Sequence, residues 1–349
     1  MSERENLKDF PVERLRERLA GDGIRPFHAE QIASWLYRRG VEDPARMTDL
    51  PLEVRARLAD AWDTRALDVD SVSRSRDGTQ KAALRAADGA LVEAVLIPEE
   101  DRTTLCVSTQ VGCAMACSFC ATGFLGFSRN LTTAEIVDQV CRMRELLPAD
   151  REISNVVFMG MGEPLLNADA VVDACRLLLH PRAFALSPRR VTVSTVGVVP
   201  RIGPLLERVP VNLAVSLHAA RDVVRDALVP LNRRYPLAAV LDALRALPSV
   251  TTRRPVFFEY TLIEGVNDSL DDARRLPGLL HGIPSKLNLI PLNPHPDTPL
   301  RPPAPAAVDA FMRELASRGV TVTVRRDRGR DIQAACGQLA LRGAPRSAA

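Results

Sequence analysis

Between residues 104 and 326, short β-branched runs alternate with amphipathic segments, and few folds accommodate that rhythm. The runs are "TLCVST", "NVVFMG", "VTVSTVG", "VNLAVSLH", "VFFEYTLI", "KLNLIPL" and "VTVTVRR". Segments such as "TTAEIVDQVCRMRELL" and "NADAVVDACRLLL" lie between most of them. Strands buried on both faces and joined by amphipathic helices predict a parallel α/β sheet of about six βα units, closed into a full or a partial barrel. Chemistry on such a sheet gathers at the C-terminal ends of the strands. A chain of 349 residues, 46% hydrophobic and 26% charged, can bury that core, which excludes a disordered chain.

The remainder divides in two. Residues 1–68 carry "VERLRERLA", "HAEQIASWLYRRG" and "PLEVRARLADAW", whose apolar positions recur at helical intervals. They predict a small helical accessory domain with Trp35 and Tyr37 in its core. Residues 69–98 turn twice, at Asp77-Gly78 and Asp88-Gly89, and predict a β-hairpin extension leading to a core over residues 99–349. "MSERENLKDF" has no apolar signal region and no apolar run is long enough to span a bilayer, so the expectation is a cytoplasmic protein with reduced thiols. The net charge is +3, with three lysines against 43 arginines. That bias is the mark of a GC-rich genome, so a single arginine says little about nucleic acid. "VRRDRGRD" concentrates Arg325, Arg326, Arg328 and Arg330, and reads either as a solvated edge or as an RNA-facing patch.

Three of the seven cysteines fall within eight residues. "CAMACSFC" sets Cys113, Cys117 and Cys120 in a C-x3-C-x2-C loop just after the first core strand. Structural zinc closes with four ligands, and no second C-x2-C or H-x3-H follows. Three thiolates suit a [4Fe–4S] cluster with one iron left open to a substrate. Farther on, "MGMGEP" follows a strand, so Gly160 and Gly162 would let backbone approach a ligand while Glu163 accepts from an ammonium group. His218 taken alone is a core or capping histidine. Cys175 shares a helix face with Val171, Leu178 and Leu179 and is read as core, as is Cys141.

With these motifs the chain resembles the radical S-adenosylmethionine superfamily and, more narrowly, the RlmN/Cfr group of RNA adenine methyltransferases. The resemblance rests on "LCVSTQVGCAMACSFCATG", "FMGMGEPLLN", "VTVSTVGVVP", "LAVSLHA", "LIPLNPHP" and "DIQAACGQL", and covers nearly the whole chain. It implies one [4Fe–4S] cluster on Cys113, Cys117 and Cys120, whose open iron binds S-adenosylmethionine and cleaves it to a 5′-deoxyadenosyl radical. It further implies cofactor contacts at Gly162, Glu163, Ser194, Ser216, Leu217, His218 and Asn293, with two S-adenosylmethionine molecules used per turnover.

The expected reaction is methylation of carbon 2 of an adenine in 23S rRNA, with tRNA as a candidate second substrate. That carbon is electron-poor and cannot attack a sulfonium methyl as a nucleophile, so a radical route and a carbon carrier are needed. By resemblance Cys336, in the Gly-bounded "AACGQL", is the S-methylated carrier. Cys106 is the resolving thiol through a transient disulfide, and Glu93 is the proton acceptor. The residues alone would place Glu93 on a solvent-facing strand position. The expected partners are RNA, with the N-terminal domain helping to grip its backbone, and an external one-electron reductant of the flavodoxin kind. No membrane is expected, and the expected state is a monomer. The competing readings are a Cfr-like enzyme acting on carbon 8 and, more remotely, a non-catalytic zinc-stabilised RNA-binding protein.

Overall fold

The computed structural model describes residues 4–325 and 327–341, so Arg326 of the basic run lies outside the described residues. The N-terminal region is helical, with α1 at Val12–Gly21, α2 at His28–Ala33 and α3 at Leu52–Ala61. Its apolar positions meet in one core, in which Leu15, Leu19, Ile32, Trp35, Leu36, Tyr37 and Leu58 are buried.

Ten strands form one sheet. They are β1 (Leu67–Arg74), β2 (Gln80–Ala86), β3 (Leu91–Pro98), β4 (Thr103–Cys106), β5 (Asn155–Phe158), β6 (Val191–Thr195), β7 (Asn212–Ser216), β8 (Val256–Leu262), β9 (Ser285–Pro291) and β10 (Val322–Val324). Their order across the sheet is their order in the chain. From β4 to β10 every pairing is parallel, whereas β1 to β4 pair antiparallel, through the two Asp-Gly turns and then a turn at residues 99–102. Residues 69–98 therefore continue the main sheet: β3 pairs with β4, with Val95 opposite Cys106.

Between the parallel strands run α4 (Thr133–Arg144), α5 (Ala168–Leu179), α6 (Val199–Arg208), α7 (Asp222–Leu228), α8 (Leu237–Arg245), α9 (Leu270–Leu280) and α10 (Pro305–Ser317). Helix α4 starts where it does because Thr132 Oγ1 accepts from the Glu135 N–H at 3.2 Å and the Glu135 carboxylate accepts from the Thr132 N–H at 2.9 Å. Seven parallel strands and six crossovers make a partial barrel. Closure is impossible at β4, because β3 and β5 already occupy both of its edges. Residues 327–341 run beside the open side as a strap. Gly329 N–H donates to Asp77 at 2.9 Å, Ser75 donates to Asp331 at 2.6 Å, and the Gly337 carbonyl accepts from Ala121 N–H at 2.7 Å.

The helical region docks on α4 and α5 through a buried ionic cluster. Lys8 donates to both Glu42 and Asp138, Arg142 donates to Glu42, and Asp138 Oδ2 accepts from the N–H groups of Ala66 and Leu67 at 2.8 Å each. Arg14 reaches Asp173 on α5, and the Ala134 N–H at the start of α4 donates to Asp9. Burial opposes charge at Asp138, yet Lys8 and Arg142 hold its carboxyl below its ordinary value of 3.8. Burial also opposes charge at Lys8, yet Cys141, Asp138 and Glu42 hold the ammonium above its ordinary 10.5.

A lowered carboxyl stabilises the fold above its unfolded value and loses that contribution as pH falls through the lowered one. A raised ammonium stabilises below its unfolded value and loses it as pH rises through the raised one. The Asp138 and Lys8 contributions to docking are therefore both in full between about pH 4 and about pH 10. Replacing Asp138 by Asn leaves buried Lys8 and Arg142 to share Glu42 and should cost about 3–5 kcal/mol. The measurement is the urea midpoint at pH 7, expected to fall with the slope unchanged.

Candidate active site

The loop after β4 carries the three clustered thiols, and they line a single cavity of about 150 Å³ at the C-terminal ends of the parallel strands. A turn between Cys117 and Cys120 (carbonyl to N–H, 3.1 Å) and a bond from the Cys113 N–H to the Gly126 carbonyl at 2.7 Å shape the loop. Burial pushes the Cys113 thiol up to about 11 and raises those of Cys117 and Cys120. Such thiols become thiolates only when a strongly cationic group takes them. Around one zinc ion, sulfurs bonded at about 2.3 Å lie about 3.8 Å apart. Among the described residues, the group of three whose ligand atoms all lie within 4.8 Å of one another is Glu42, Asp138 and Cys141, not this triad. Lys8 and Arg142 already neutralise that acidic group. The wider triad fits a polynuclear cluster.

The cavity wall comes from successive strand ends, which bring together Gly162, Glu163, Ser194, Ser216, His218 and Asn293. Glu163 is buried, and burial lifts its carboxyl to about 7 although the N–H groups of Val196 and Leu165 donate to it at 2.8 and 2.9 Å. A cation placed beside it would restore the carboxylate. His218 Nδ1 accepts from the Thr261 N–H at 3.0 Å, and burial lowers its pKa to about 3, so the ring is neutral with its hydrogen on Nε2. Asn293 Oδ1 and Glu259 Oε2 are buried in the same wall without a hydrogen-bond partner among the described residues. Orphaned acceptors beside a buried carboxylate suit the ammonium and hydroxyl groups of an S-adenosylmethionine.

One expectation changes at this wall. Leu217 does not line the cavity: its side chain is core, and its backbone bonds Glu259 and Arg225. The glycines of "MGMGEP" line the cavity, and they also serve loop packing. A Cβ added at Gly160 would lie 2.7 Å from the Val107 carbonyl oxygen, and one at Gly162 would lie 2.6 Å from Gln110 Cβ. Gly162 also has φ +100, which disfavours any other residue.

A second cavity, about 560 Å³, adjoins the first on the open side of the barrel, and Cys106, Cys120, Arg325 and Cys336 line it. Cys336 and Arg325 face both cavities. The Cys336 carbonyl accepts from Asn293 Nδ2 at 3.1 Å, which ties the strap to the cofactor wall. Burial and then the charge of Cys336 push Cys106 up to about 12, against the pull of Arg325. Arg325 is held charged chiefly by Cys336 and also by Glu259 and Cys106. It belongs inside the site, which the solvated-edge reading does not describe.

Glu93 is buried, not solvent-facing, and lines neither cavity. The sequence reading also missed Arg225, whose buried guanidinium donates to the carbonyls of Val196, Ser216 and Leu217 and so binds two strand-end loops together. It missed the exposed Phe124, Leu125 and Phe127 beside the thiol loop as well. The signal for these was "TGFLGF", dense in large apolar residues directly after the last cluster cysteine.

Comparison with known proteins agrees with this geometry. Residues 107–276 match the Radical SAM superfamily, and residues 5–62 match the ribosomal RNA large subunit methyltransferase N-terminal domain. The chain is 50% identical over 334 residues to a dual-specificity RNA methyltransferase RlmN of Geobacter sulfurreducens, covering 96% of this chain and 91% of that one. It is 50% identical over 348 residues to the RlmN of an Anaeromyxobacter species, covering 98% and 92%. A crystal structure of a radical SAM methyltransferase from Sphaerobacter thermophilus superposes with a TM-score of 0.89 at 46% identity, covering 96% of this chain and 99% of that one.

Changing any one of Cys113, Cys117 or Cys120 to Ala should remove bound iron, the brown absorbance of anaerobically purified protein, and all cleavage of S-adenosylmethionine. Iron content, the visible spectrum and 5′-deoxyadenosine release check this.

Proposed function

Since the chain belongs to the RlmN family of radical S-adenosylmethionine RNA methyltransferases, we propose that it methylates carbon 2 of an adenine in 23S rRNA and in tRNA. The observation that carries the reading is the shared cavity of Cys106 and Cys336, opening onto the wall of Cys113, Cys117 and Cys120. A methyltransferase that passes its group straight from cofactor to substrate has no use for two further thiols there. The RlmN name of the relatives favours carbon 2 over the Cfr-like carbon 8.

When bound, the [4Fe–4S] cluster and S-adenosylmethionine supply the methyl group and the single-electron chemistry that an electron-poor ring carbon requires. The protein's own residues do the rest. Glu163, Ser194, Ser216, His218 and Asn293 hold the cofactor, with His218 offering a neutral N–H. The Cys336 thiolate displaces the methyl from the sulfonium and keeps the carbon on Sγ, so that two cofactor molecules are consumed per turnover. Once that carbon is joined to the ring, Glu93 takes the ring proton. The Cys106 thiolate then attacks Cys336 Sγ, and the sulfur–sulfur bond forms as the carbon–sulfur bond breaks. The electron pair left on the ring-bound carbon takes up a proton and becomes the methyl group. An external one-electron reductant of the flavodoxin kind restores the thiols and the cluster.

RNA of this kind is read through splayed-out bases that stack on exposed rings, and Phe124 and Phe127 stand at the rim of the thiol loop. The enzyme of this reading works on RNA in the cytoplasm as a monomer; among the described residues no helix is long and apolar enough to cross a membrane.

The test is an anaerobic assay with S-adenosylmethionine, a reductant and rRNA or tRNA fragments, followed by nucleoside analysis against 2-methyl- and 8-methyladenosine standards. The 2-methyl isomer is expected, and the 8-methyl isomer alone would move the chain to the Cfr activity. Cys336→Ala should lose both the extra methyl mass on the "AACGQL" peptide and the RNA product. Cys106→Ala should still load methyl but stall as a nuclease-sensitive protein–RNA band on a denaturing gel.

A further inference from the structure

Lys81 on β2 and Glu93 on β3 lie diagonally across neighbouring strands, since Ala83 is opposite Glu93 and Lys81 is opposite Val95. Lys81 Nζ stands 2.8 Å from Glu93 Oε1, and their side chains are 7% and 2% exposed. Both also hold the strap. Lys81 donates to the Gln333 carbonyl at 3.2 Å, and Glu93 Oε2 accepts from the N–H groups of Ala340 and Leu341 at 2.9 and 3.2 Å. These grips fall on either side of Cys336. Each includes a non-glycine residue in the left-handed region, Gln333 and Leu341, both with φ +53. Such conformations persist only where surrounding bonds enforce them.

Lys81 thus holds Oε1 and two N–H groups cover Oε2, and a carboxylate that lines neither cavity cannot reach a ring proton. We propose that Lys81 is a positioning residue of the reaction and that the Lys81–Glu93 pair is the latch of the strap. Lifting residues 340–341 off Glu93 relaxes the strained turns, frees Cys336 to move and uncovers Oε2 in one displacement. Lys81 keeps its hold on Oε1, so the carboxylate stays in place. The inference rests on the assignment of Glu93 as proton acceptor.

The experiment uses anaerobically reconstituted protein with its cluster. Hydrogen exchange in peptides spanning residues 334–341 reads the latch. In the wild type, adding an rRNA fragment should speed exchange at Ala340 and Leu341 at least tenfold. Lys81→Met should show that faster exchange without RNA. The same Lys81→Met protein should load methyl on Cys336 within twofold of the wild type yet lose RNA methylation at least tenfold, and Lys81→Arg should recover most of the product. Unchanged exchange on adding RNA to the wild type, or in Lys81→Met, overturns the latch. Loss of methyl loading together with product overturns the positioning role, leaving Lys81 merely structural. Glu93→Gln separates the two claims: if it loads methyl and makes no product the base assignment holds whatever the exchange shows, and if it makes product that assignment falls while the exchange still decides the latch.

Discussion

Strand β4 is paired on both edges, in parallel with β5 and antiparallel with β3, and the remaining architecture follows from that. A parallel barrel closes when its first and last strands meet, but β10 finds the edge of β4 already taken. The consequence is a lateral opening beside the strand that carries Cys106. An unpaired edge is a hazard unless something covers it. Residues 327–341 run beside the opening, and they carry Cys336 into the space between the cofactor wall and the open side. The antiparallel strands β1 to β3 thus create the opening and also supply, through Asp77, Lys81 and Glu93, the anchors for what covers it.

Most of the scaffold was legible because its signal is local. A parallel strand buried on both faces must be an apolar run, and seven such runs became β4 to β10 with end shifts of up to three residues. The thiol loop was equally plain, since three ligands to one group must sit close in sequence when one turn presents them. Cys336 was legible through its family motif, and the residues alone gave only a cysteine in a loop.

What stayed hidden depends on partners far away in the chain. In "LVEAVLIP" a lone glutamate looks like the solvent side of a strand, because an apolar run carries no sign that a charge within it will be met. Glu93 is buried because Lys81 arrives from the next strand and two N–H groups arrive from residues 340 and 341. Arg225 is of the same kind: among 43 arginines nothing singles it out, yet three carbonyls from two loops converge on it. Lysine was the overlooked signal. The chain uses only three, and two of them, Lys8 and Lys81, are buried against carboxylates at the domain junction and at the strap. A compact ammonium suits an enclosed point contact, whereas a planar guanidinium asks for a wider one.

The strap also sets an order of events during synthesis. Chains leave the ribosome from the N-terminus at about 5–20 residues per second, so Cys336 follows Cys120 by roughly ten to forty seconds. During that interval the strands that form the floor, β5 to β10, emerge one after another and can begin to fold around the three thiols with nothing overhead. Delivery of iron and sulfide to the nascent protein therefore has an unobstructed window. A chain with the same segment placed ahead of the barrel would have covered the thiols before their floor existed.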